Sequence, residues 1–230
     1  MNFSIYLKFF LFAVLLVLLS TVGFNRLIDP YALYGDPTIE GVNANKPAFS
    51  SHAYMAKATA VTVAPPTTIF LGSSRGERGM DPLHPALSGD KRYNLSLSGS
   101  SIYEALRYFQ HSHATESLKQ VVLGLGLRQF KHADQVSPSF TEERLSVSAE
   151  GATQNRSWLP ADLAVIASLD SIAASIETLW KQDETPHLLL HGEYNPQRLI
   201  EDMTSHRADF LSYEKSYINS SYKDFSFTDN

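Results

Sequence analysis

The stretch TTIFLGSSRGERGMDP, from Thr67 to Pro82, decides the fold of this protein. Its first five residues form a β-branched and apolar run that ends at Gly72, which predicts a buried strand. Gly72 allows a tight turn, so Ser73 and Ser74 follow at the carboxyl end of that strand. Open α/β sheets form their sites at this end of the strands. The alternative is an ordinary strand–turn–helix corner, where Gly and Ser are common.

Two further segments predict strands of the same sheet. Arg92–Leu97 is the weaker one, and Gln120–Leu125 is almost entirely apolar. Strands buried on both faces are typical of parallel sheets. Between them, Ser101 and Glu104 form a capping-box pattern, and apolar residues then recur at helical spacing, which predicts a helix over Ser101–His113. Strands that alternate with helices indicate an α/β domain with a mainly parallel sheet.

The second half of the chain is predicted to be largely helical. An apolar stripe that includes Leu169 and Trp180 predicts one helix over Ala161–Lys181. A packing role is the preferred interpretation for Trp180. We expect a polar loop at Gln135–Ser157 and a short strand or hairpin arm at His187–Leu190. Another helix is expected at Gln197–Tyr213.

The N-terminus predicts a membrane segment. Ile5–Phe24 carries Lys8 as its only charge, and a span needs about 20 predominantly apolar residues. An uncleaved anchor is favoured over a cleaved signal, because Ser20–Gly23 is a poor cleavage site. We therefore divide the chain into an anchor or signal at 1–25, a linker at 26–66 that lies over the domain, and an α/β domain at 67–230.

Composition excludes several functional classes. The 230 residues include 19 Lys+Arg against 24 Asp+Glu, a net charge of −5, which argues against nucleic-acid binding. The absence of Cys excludes thiolate metal sites and Cys nucleophiles. The sequence shows no His/carboxylate spacing typical of a metal site. Gly124-Leu-Gly126 lacks the third Gly of a dinucleotide fingerprint, so no cofactor is expected.

Three blocks resemble a known superfamily, in the order in which that superfamily has them. They are IFLGSSR, YNLSLSGSS and VVLGLGLRQF, within Thr67–Phe130. They resemble the SGNH (GDSL-like) hydrolases and acyltransferases, most closely the membrane-anchored extracytoplasmic branch. That branch includes the D-alanine transfer protein of teichoic acids and the alginate O-acetylation proteins. The resemblance implies a flavodoxin-like, three-layer fold behind one N-terminal transmembrane helix.

The resemblance also implies roles for individual residues. The first block assigns the nucleophile to Ser74 rather than Ser73, and the second assigns an oxyanion N–H to Gly99. The third block aligns Gly126 but has Arg128 where the family has an oxyanion Asn. The guanidinium of Arg128 carries five donors, so it can replace that Asn or bind an anionic glycan or phosphate.

The catalytic base is the weakest part of the resemblance. The family has Asp-x-x-His near its C-terminus, and this sequence has none after Leu125; Asp81-Pro-Leu-His84 follows Ser74 too closely. His191 is the best substitute by position, although a turn His before Gly192 is the more ordinary interpretation. His111 and His113 are two apart on a helix and are expected to be solvated.

These observations lead to three hypotheses. The first is a serine esterase or O-acyltransferase on acyl esters of an envelope polysaccharide, anchored in the inner membrane and facing the periplasm or the exterior. The second is a non-catalytic module that binds glycan or scaffolds export proteins through Arg128 and a cluster at Arg75–Arg78, unless that cluster is a solvated surface. The third is an inactive, truncated copy, because the tail from Ser216 offers no apolar run to complete a sheet.

Overall fold

The computed structural model is an α/β arrangement with one small parallel sheet. It describes residues 3–35, 37–87, 89–115, 117–131, 136–154, 159–189, 191–205, 211–212 and 215. The strands are β1 (Thr68–Leu71), β2 (Arg92–Asn94) and β3 (Gln120–Leu123). The helices are α1 (Phe3–Ile28), α2 (Ala53–Val63), α3 (Ser74–Gly79), α4 (Ile102–His113), α5 (Leu127–Lys131), α6 (Leu159–Ile166), α7 (Leu169–Trp180) and α8 (Pro196–Ser205). Short 3-10 helices span Pro47–His52 and Glu142–Arg144.

The sheet has the order β2-β1-β3, and both pairings are parallel. Thr68 aligns with Arg92 on one side and with Gln120 on the other. The predicted strands and their parallel pairing are confirmed, although β2 and β3 end earlier than predicted. Beyond β2, the chain still follows β1, because Leu97 N donates to Gly72 O at 3.0 Å.

Burial differs between the strands. In β1 every residue is buried, and Ile69 is 0% exposed, as expected for the central strand. The sequence predicts that the third strand is also buried on both faces, but Val121 and Leu123 are 38% and 51% exposed. The reason is position, since β3 lies at the edge of the sheet as far as the structure describes it.

The hydrophobic core lies between β1, the segment after β2, and helices α2 and α4. Its buried members include Ile69, Leu95 and Tyr108, joined by Ala58 and Val61 of α2. The structure therefore differs from the expected linker at 26–66, because α2 supplies core side chains. The sequence of α2 is rich in Ala, Val and Thr, and these small residues let the helix pack closely.

Helix α4 begins as the sequence predicts. Ser101 is the N-cap, and its Oγ accepts a hydrogen bond from Glu104 N at 3.2 Å. The Glu104 side chain makes the second hydrogen bond of the pair, because its Oε2 accepts from Ser101 N at 2.8 Å. This capping box satisfies two N–H groups that the first turn of a helix leaves without backbone partners.

The predicted helix Ala161–Lys181 is two helices, α6 and α7. Ser168 interrupts it by capping α7, as its Oγ accepts from Ser171 N at 3.1 Å. The packing role expected for Trp180 is wrong, because this side chain is 82% exposed. Leu169, on the same predicted stripe, is 81% exposed.

The remaining predictions are partly confirmed. The hairpin arm at His187–Leu190 is present as an antiparallel bridge between Leu188 and Tyr194. Helix α8 covers the first part of the predicted Gln197–Tyr213, whereas residues 206–210 lie outside the described ones. The predicted loop at Gln135–Ser157 contains the second 3-10 helix, and residues 155–158 are also outside the described part.

Helix α1 is 26 residues long, with a mean hydropathy of 2.4 over its most apolar window, none of which is buried. It is long and apolar enough to cross a membrane. Its C-terminal end instead packs into the domain, where Asn25 is 1% exposed. The Asn25 side chain donates to Ile166 O at 2.7 Å and accepts from Ser175 Oγ at 2.8 Å.

Candidate functional site

Three of the predicted site residues follow the carboxyl ends of three adjacent parallel strands. Ser74 comes after β1, Gly99 after β2 and Arg128 after β3. Because β1 is central, the segment with Ser74 lies between the other two strands. This end of a parallel sheet is where open α/β folds place their ligands.

The turn between β1 and α3 is tightly packed. A Cβ on Gly72 would lie 3.0 Å from Gly124 O, which belongs to the segment after β3. Gly72 O accepts hydrogen bonds from Leu97 N and Ser100 Oγ, each at 3.0 Å. The glycine therefore lets the three chain segments approach one another at the end of the sheet.

Ser74 is the first residue of α3, and Ser73 is its N-cap. Both serines are half-buried. The Ser73 side chain makes no capping hydrogen bond, while Ser73 O accepts from Glu77 N at 3.0 Å to close the first turn. The strand–turn–helix corner is thus present, and it presents two adjacent hydroxyls at the end of the central strand.

Gly99 lies in the loop after β2, and Arg128 lies in the helix α5 after β3. Gly99 is exposed and has φ +80°, a conformation that favours glycine. Arg128 belongs to α5, and its side chain is outside what the structure describes. Gly126 N, just before α5, donates to Gln129 Oε1 at 2.9 Å. The N–H group of Gly126 is therefore engaged in a local hydrogen bond at the start of α5.

His191 lies along the outer side of β2. Its backbone carbonyl accepts from Asn94 N at 2.7 Å, which continues the sheet edge by one hydrogen bond. The next residue, Gly192, has φ +81°, and a Cβ there would lie 2.5 Å from Asn94 O. In the described part of the chain, no hydrogen bond joins His191 to Ser74. The structure therefore brings the backbone of His191 to the sheet, but its described hydrogen bonds do not link it to the candidate nucleophile.

Asn94 connects β2 to α3. Its amide donates to Gly76 O at 3.0 Å and to Met80 O at 2.9 Å, and its Oδ1 accepts from Ser96 N at 2.9 Å. Gly76 sits directly over Ser96, because a Cβ on this glycine would be 2.6 Å from Ser96 Oγ. The Asn of the second sequence block therefore holds α3 against the sheet.

Sequence reasoning missed a buried charged cluster beside α3. Lys57 of α2 is 0% exposed, and its Nζ donates to Glu77 Oε1 at 3.0 Å and to Ser96 O at 2.6 Å. The other oxygen, Glu77 Oε2, accepts from Ser98 Oγ at 2.5 Å. A solvated surface is therefore wrong for Glu77, which is 7% exposed, although Arg75 and Arg78 are exposed.

One sequence signal could have revealed Lys57. It is the only charged residue in the otherwise uncharged helix AYMAKATAVTV. Burial lowers the pKa of Lys57, and the Glu77 carboxylate opposes that shift. A second buried acid, Glu193, interacts electrostatically with Lys57, and burial raises its pKa. Its Oε2 has no hydrogen-bond partner among the described residues.

His111 is not solvated, contrary to the prediction. It is 0% exposed, and its Nδ1 accepts from Ser146 N at 2.9 Å. The opposite nitrogen, Nε2, lies 2.9 Å from Ala58 O and so carries the proton. His111 faces the core side of α4 and ties it to α2, which makes it a structural residue. His113 is exposed, as predicted.

A cleft of about 240 Å³ opens beside the buried cluster. Glu77, Arg78 and Ser98 form part of its wall, with five serines and two tyrosines among its lining residues. Arg78 also lies over the ring of Tyr194, 5.4 Å from the centroid. Neither Ser74 nor His191 is among the lining residues of the cleft, although Glu77 and Tyr194, each three positions further along the chain, are.

Within the described residues, no group of three or more His, Asp or Glu could hold a metal ion. The chain was compared with family models, curated proteins and solved structures, and nothing matches in any of the three.

Proposed function

We propose that this chain is a membrane-anchored serine esterase or O-acyltransferase that acts on acyl esters of a cell-envelope or extracellular polysaccharide. The observation that carries the proposal is that Ser74, Gly99 and Arg128 each follow the carboxyl end of one of the three adjacent parallel strands β1, β2 and β3. That strand order agrees with the flavodoxin-like arrangement implied by the resemblance to SGNH hydrolases. Helix α1 provides the anchor, and the domain faces the periplasm or the exterior.

In this proposal Ser74 is the nucleophile. The base takes the proton of the Ser74 hydroxyl as its Oγ bonds to the acyl carbon, and the same proton passes to the polysaccharide oxygen as its ester bond breaks. The acyl group passes from Ser74 to water or to another hydroxyl. The N–H groups of Ser74 and Gly99 stabilise the oxyanion. Arg128 supplies a further donor or binds an anionic group on the polymer.

His191 is the base that we assign. The assignment rests on position, because His191 lies beside β2, where its backbone carbonyl accepts from Asn94 N. Catalytic hydrogen bonds are often long in the absence of substrate. In this proposal the hydrogen bond between His191 and Ser74 forms when the substrate binds. His191→Ala is therefore expected to lose most of the turnover.

Turnover of a chromogenic acetyl ester tests the proposal. We expect the full chain in detergent micelles to hydrolyse the ester and Ser74→Ala to lose at least 100-fold of that rate, on the order of a missing nucleophile. Ser73→Ala is the matched control and should retain the rate. Equal turnover in the wild type and Ser74→Ala would exclude Ser74 as the nucleophile.

The cleft favours a second candidate, an anchored glycan-binding module. Its serine and tyrosine hydroxyls suit the hydroxyls of a sugar, and Tyr194 is one of the tyrosines in its wall. Ser74 does not line the cleft, so this function requires no catalysis. Calorimetric titration with an acetylated oligosaccharide separates the two: binding that survives Ser74→Ala but is lost in Tyr194→Ala, together with no ester turnover, supports the module.

A further inference from the structure

Helix α7 buries small side chains, most of them polar, and exposes its two largest apolar ones at its ends. Ser171, Ser175 and Thr178 are 1%, 0% and 0% exposed and face the protein. Leu169 and Trp180, by contrast, are 81% and 82% exposed. A surface helix of a soluble domain shows the reverse arrangement, with its apolar stripe toward the core.

The exposed apolar residues form one stripe. Leu169, Ala173, Ile176 and Trp180 are spaced by four, three and four residues, so they lie on the same face of the helix. Ala173 is exposed and Ile176 is half-buried. The stripe runs the length of α7, about 16 Å at 1.5 Å per residue. A contiguous apolar surface of this kind marks an interaction site.

The contact with α1 fixes the depth of α7 relative to a membrane. The predicted membrane segment, Ile5–Phe24, contains about 20 residues and is about 30 Å long, which matches the hydrocarbon core. Asn25 is the next residue of α1, so it lies where the hydrocarbon ends and the headgroup layer begins. Its side chain is hydrogen-bonded to Ser175, in the middle of α7. Headgroup layers extend about 5–8 Å on each side of the hydrocarbon, so this part of α7 lies at their depth.

Other residues at this level agree with an interfacial position. Arg26 lies over the ring of Tyr34, with its guanidinium carbon 4.3 Å from the centroid. Leu27 is 70% exposed on the same turn of α1. Tyr and Trp concentrate at the membrane–water interface, where an aromatic ring meets both lipid and water. Trp180 is therefore chemically suited to the place where α1 holds it.

We propose that α7 lies in the membrane interface, with the stripe of Leu169, Ala173, Ile176 and Trp180 in contact with lipid. The proposal rests on the membrane anchoring by α1 that is part of the proposed function. Interfacial helices bury their apolar face about 5–10 Å into the headgroup and acyl boundary. The domain is then held to the bilayer at two places, by α1 and by α7. Asp170 and Glu177 flank the stripe, and their negative charges do not attract anionic headgroups. The contact with lipid therefore does not require anionic lipid.

Single-cysteine variants provide the test, because the natural chain has no Cys. Leu169→Cys and Trp180→Cys place a polarity-sensitive fluorophore on the stripe of the full chain, reconstituted in phosphatidylcholine nanodiscs. Leu83→Cys, at a residue 51% exposed in the segment between α3 and β2, is the matched control. Leu15→Cys reports on the anchor. Nitroxide-bearing lipids then quench whichever fluorophores touch the bilayer.

We expect quenching at Leu15, Leu169 and Trp180 and none at Leu83. Quenching at Leu15 without quenching at either α7 position would overturn the inference while leaving the anchor in place. No quenching at Leu15 would instead contradict the anchor, and with it the premise of the inference. A fluorophore on α7 that is not quenched by the lipids, but reports an apolar surrounding only at high protein concentration, would also overturn the inference. It would show that a second copy of the chain covers the stripe.

Discussion

At the scale of single residues, the most consequential feature is a buried amine that meets a buried carboxylate. Lys57 is 0% exposed, and its ion pair with Glu77 joins α2 to α3, the helix that follows the central strand. A buried ion pair adds little stability over an apolar pair of similar shape, but removing one partner leaves an uncompensated charge. The pair therefore fixes the position of α3, which begins with Ser74.

Glu77→Gln is expected to destabilise the protein by about 3–5 kcal/mol, because it leaves the Lys57 ammonium without its counter-ion. Urea unfolding followed by circular dichroism measures this change. Glu143→Gln, at an exposed position on the second 3-10 helix, is the control and should cost less than about 0.5 kcal/mol. The double variant Lys57→Met, Glu77→Leu should recover part of the loss. A Glu77→Gln variant as stable as the control would contradict this role.

Glu193 predicts a pH-dependent stability. Burial raises the pKa of its carboxyl above the ordinary 4.5, so the folded protein favours the neutral acid and loses stability as pH rises through the raised value. Glu193→Gln should therefore stabilise the protein at pH 7, because the variant has no charge to bury. The gain should shrink as pH falls toward 4.5. Unfolding of both proteins across this pH range is the measurement, with exposed Glu184→Gln as control. A gain independent of pH would exclude the explanation.

At the scale of elements, the start of α4 shows how local chemistry determines a boundary. Ser101 and Glu104 satisfy each other's backbone N–H groups, and Glu104 Oε1 also accepts from Ser137 N at 2.7 Å. The carboxylate thus caps the helix and holds a distant loop against it. Tyr54 of α2 donates to the same carboxylate at 3.3 Å.

Ser101→Ala is expected to cost about 1 kcal/mol, because Glu104 N then lacks its hydroxyl acceptor. Ser101→Gly should cost only a few tenths of a kcal/mol, since glycine at an N-cap leaves the first turn open to water. Thermal or urea unfolding distinguishes the two variants. Equal stability of Ser101→Ala and the wild type would mean that the cap contributes nothing measurable.

Elements with local signals were predictable, whereas those that depend on distant contacts were not. The strand before Gly72 and the helix after Ser101 each follow from neighbouring residues. The interruption at Ser168 was missed, because the apolar period continues across it and only the capping geometry shows the break. The helix α2 was missed because its burial depends on packing against β1 and α4.

The candidate site divides in the same way. Ser74 and Gly99 are placed by turns whose glycines are visible in the sequence. The ion pair of Lys57 and Glu77 joins residues that are 20 positions apart on different helices. No local sequence pattern predicts this pairing. His111 carries no sequence signal for burial either, since its partners are the backbone of Ala58 and Ser146.

At the scale of the whole molecule, a membrane-type helix and an α/β domain share one packed interface. Asn25, near the end of α1, is hydrogen-bonded to both α6 and α7. The parallel sheet places Ser74 just after the end of its central strand. Helix α1 therefore packs directly against the fold that presents the candidate nucleophile.

Labelling by a fluorophosphonate probe tests the central claim most directly, because the reagent reacts covalently with an activated serine and needs no knowledge of the acyl group or polymer. The full chain and Ser73→Ala should both be labelled in detergent micelles, and Ser74→Ala should not. Peptide mapping should place the adduct on Ser74. Labelling of Ser74→Ala at the wild-type level, or no labelling of the folded wild-type protein, would contradict the account.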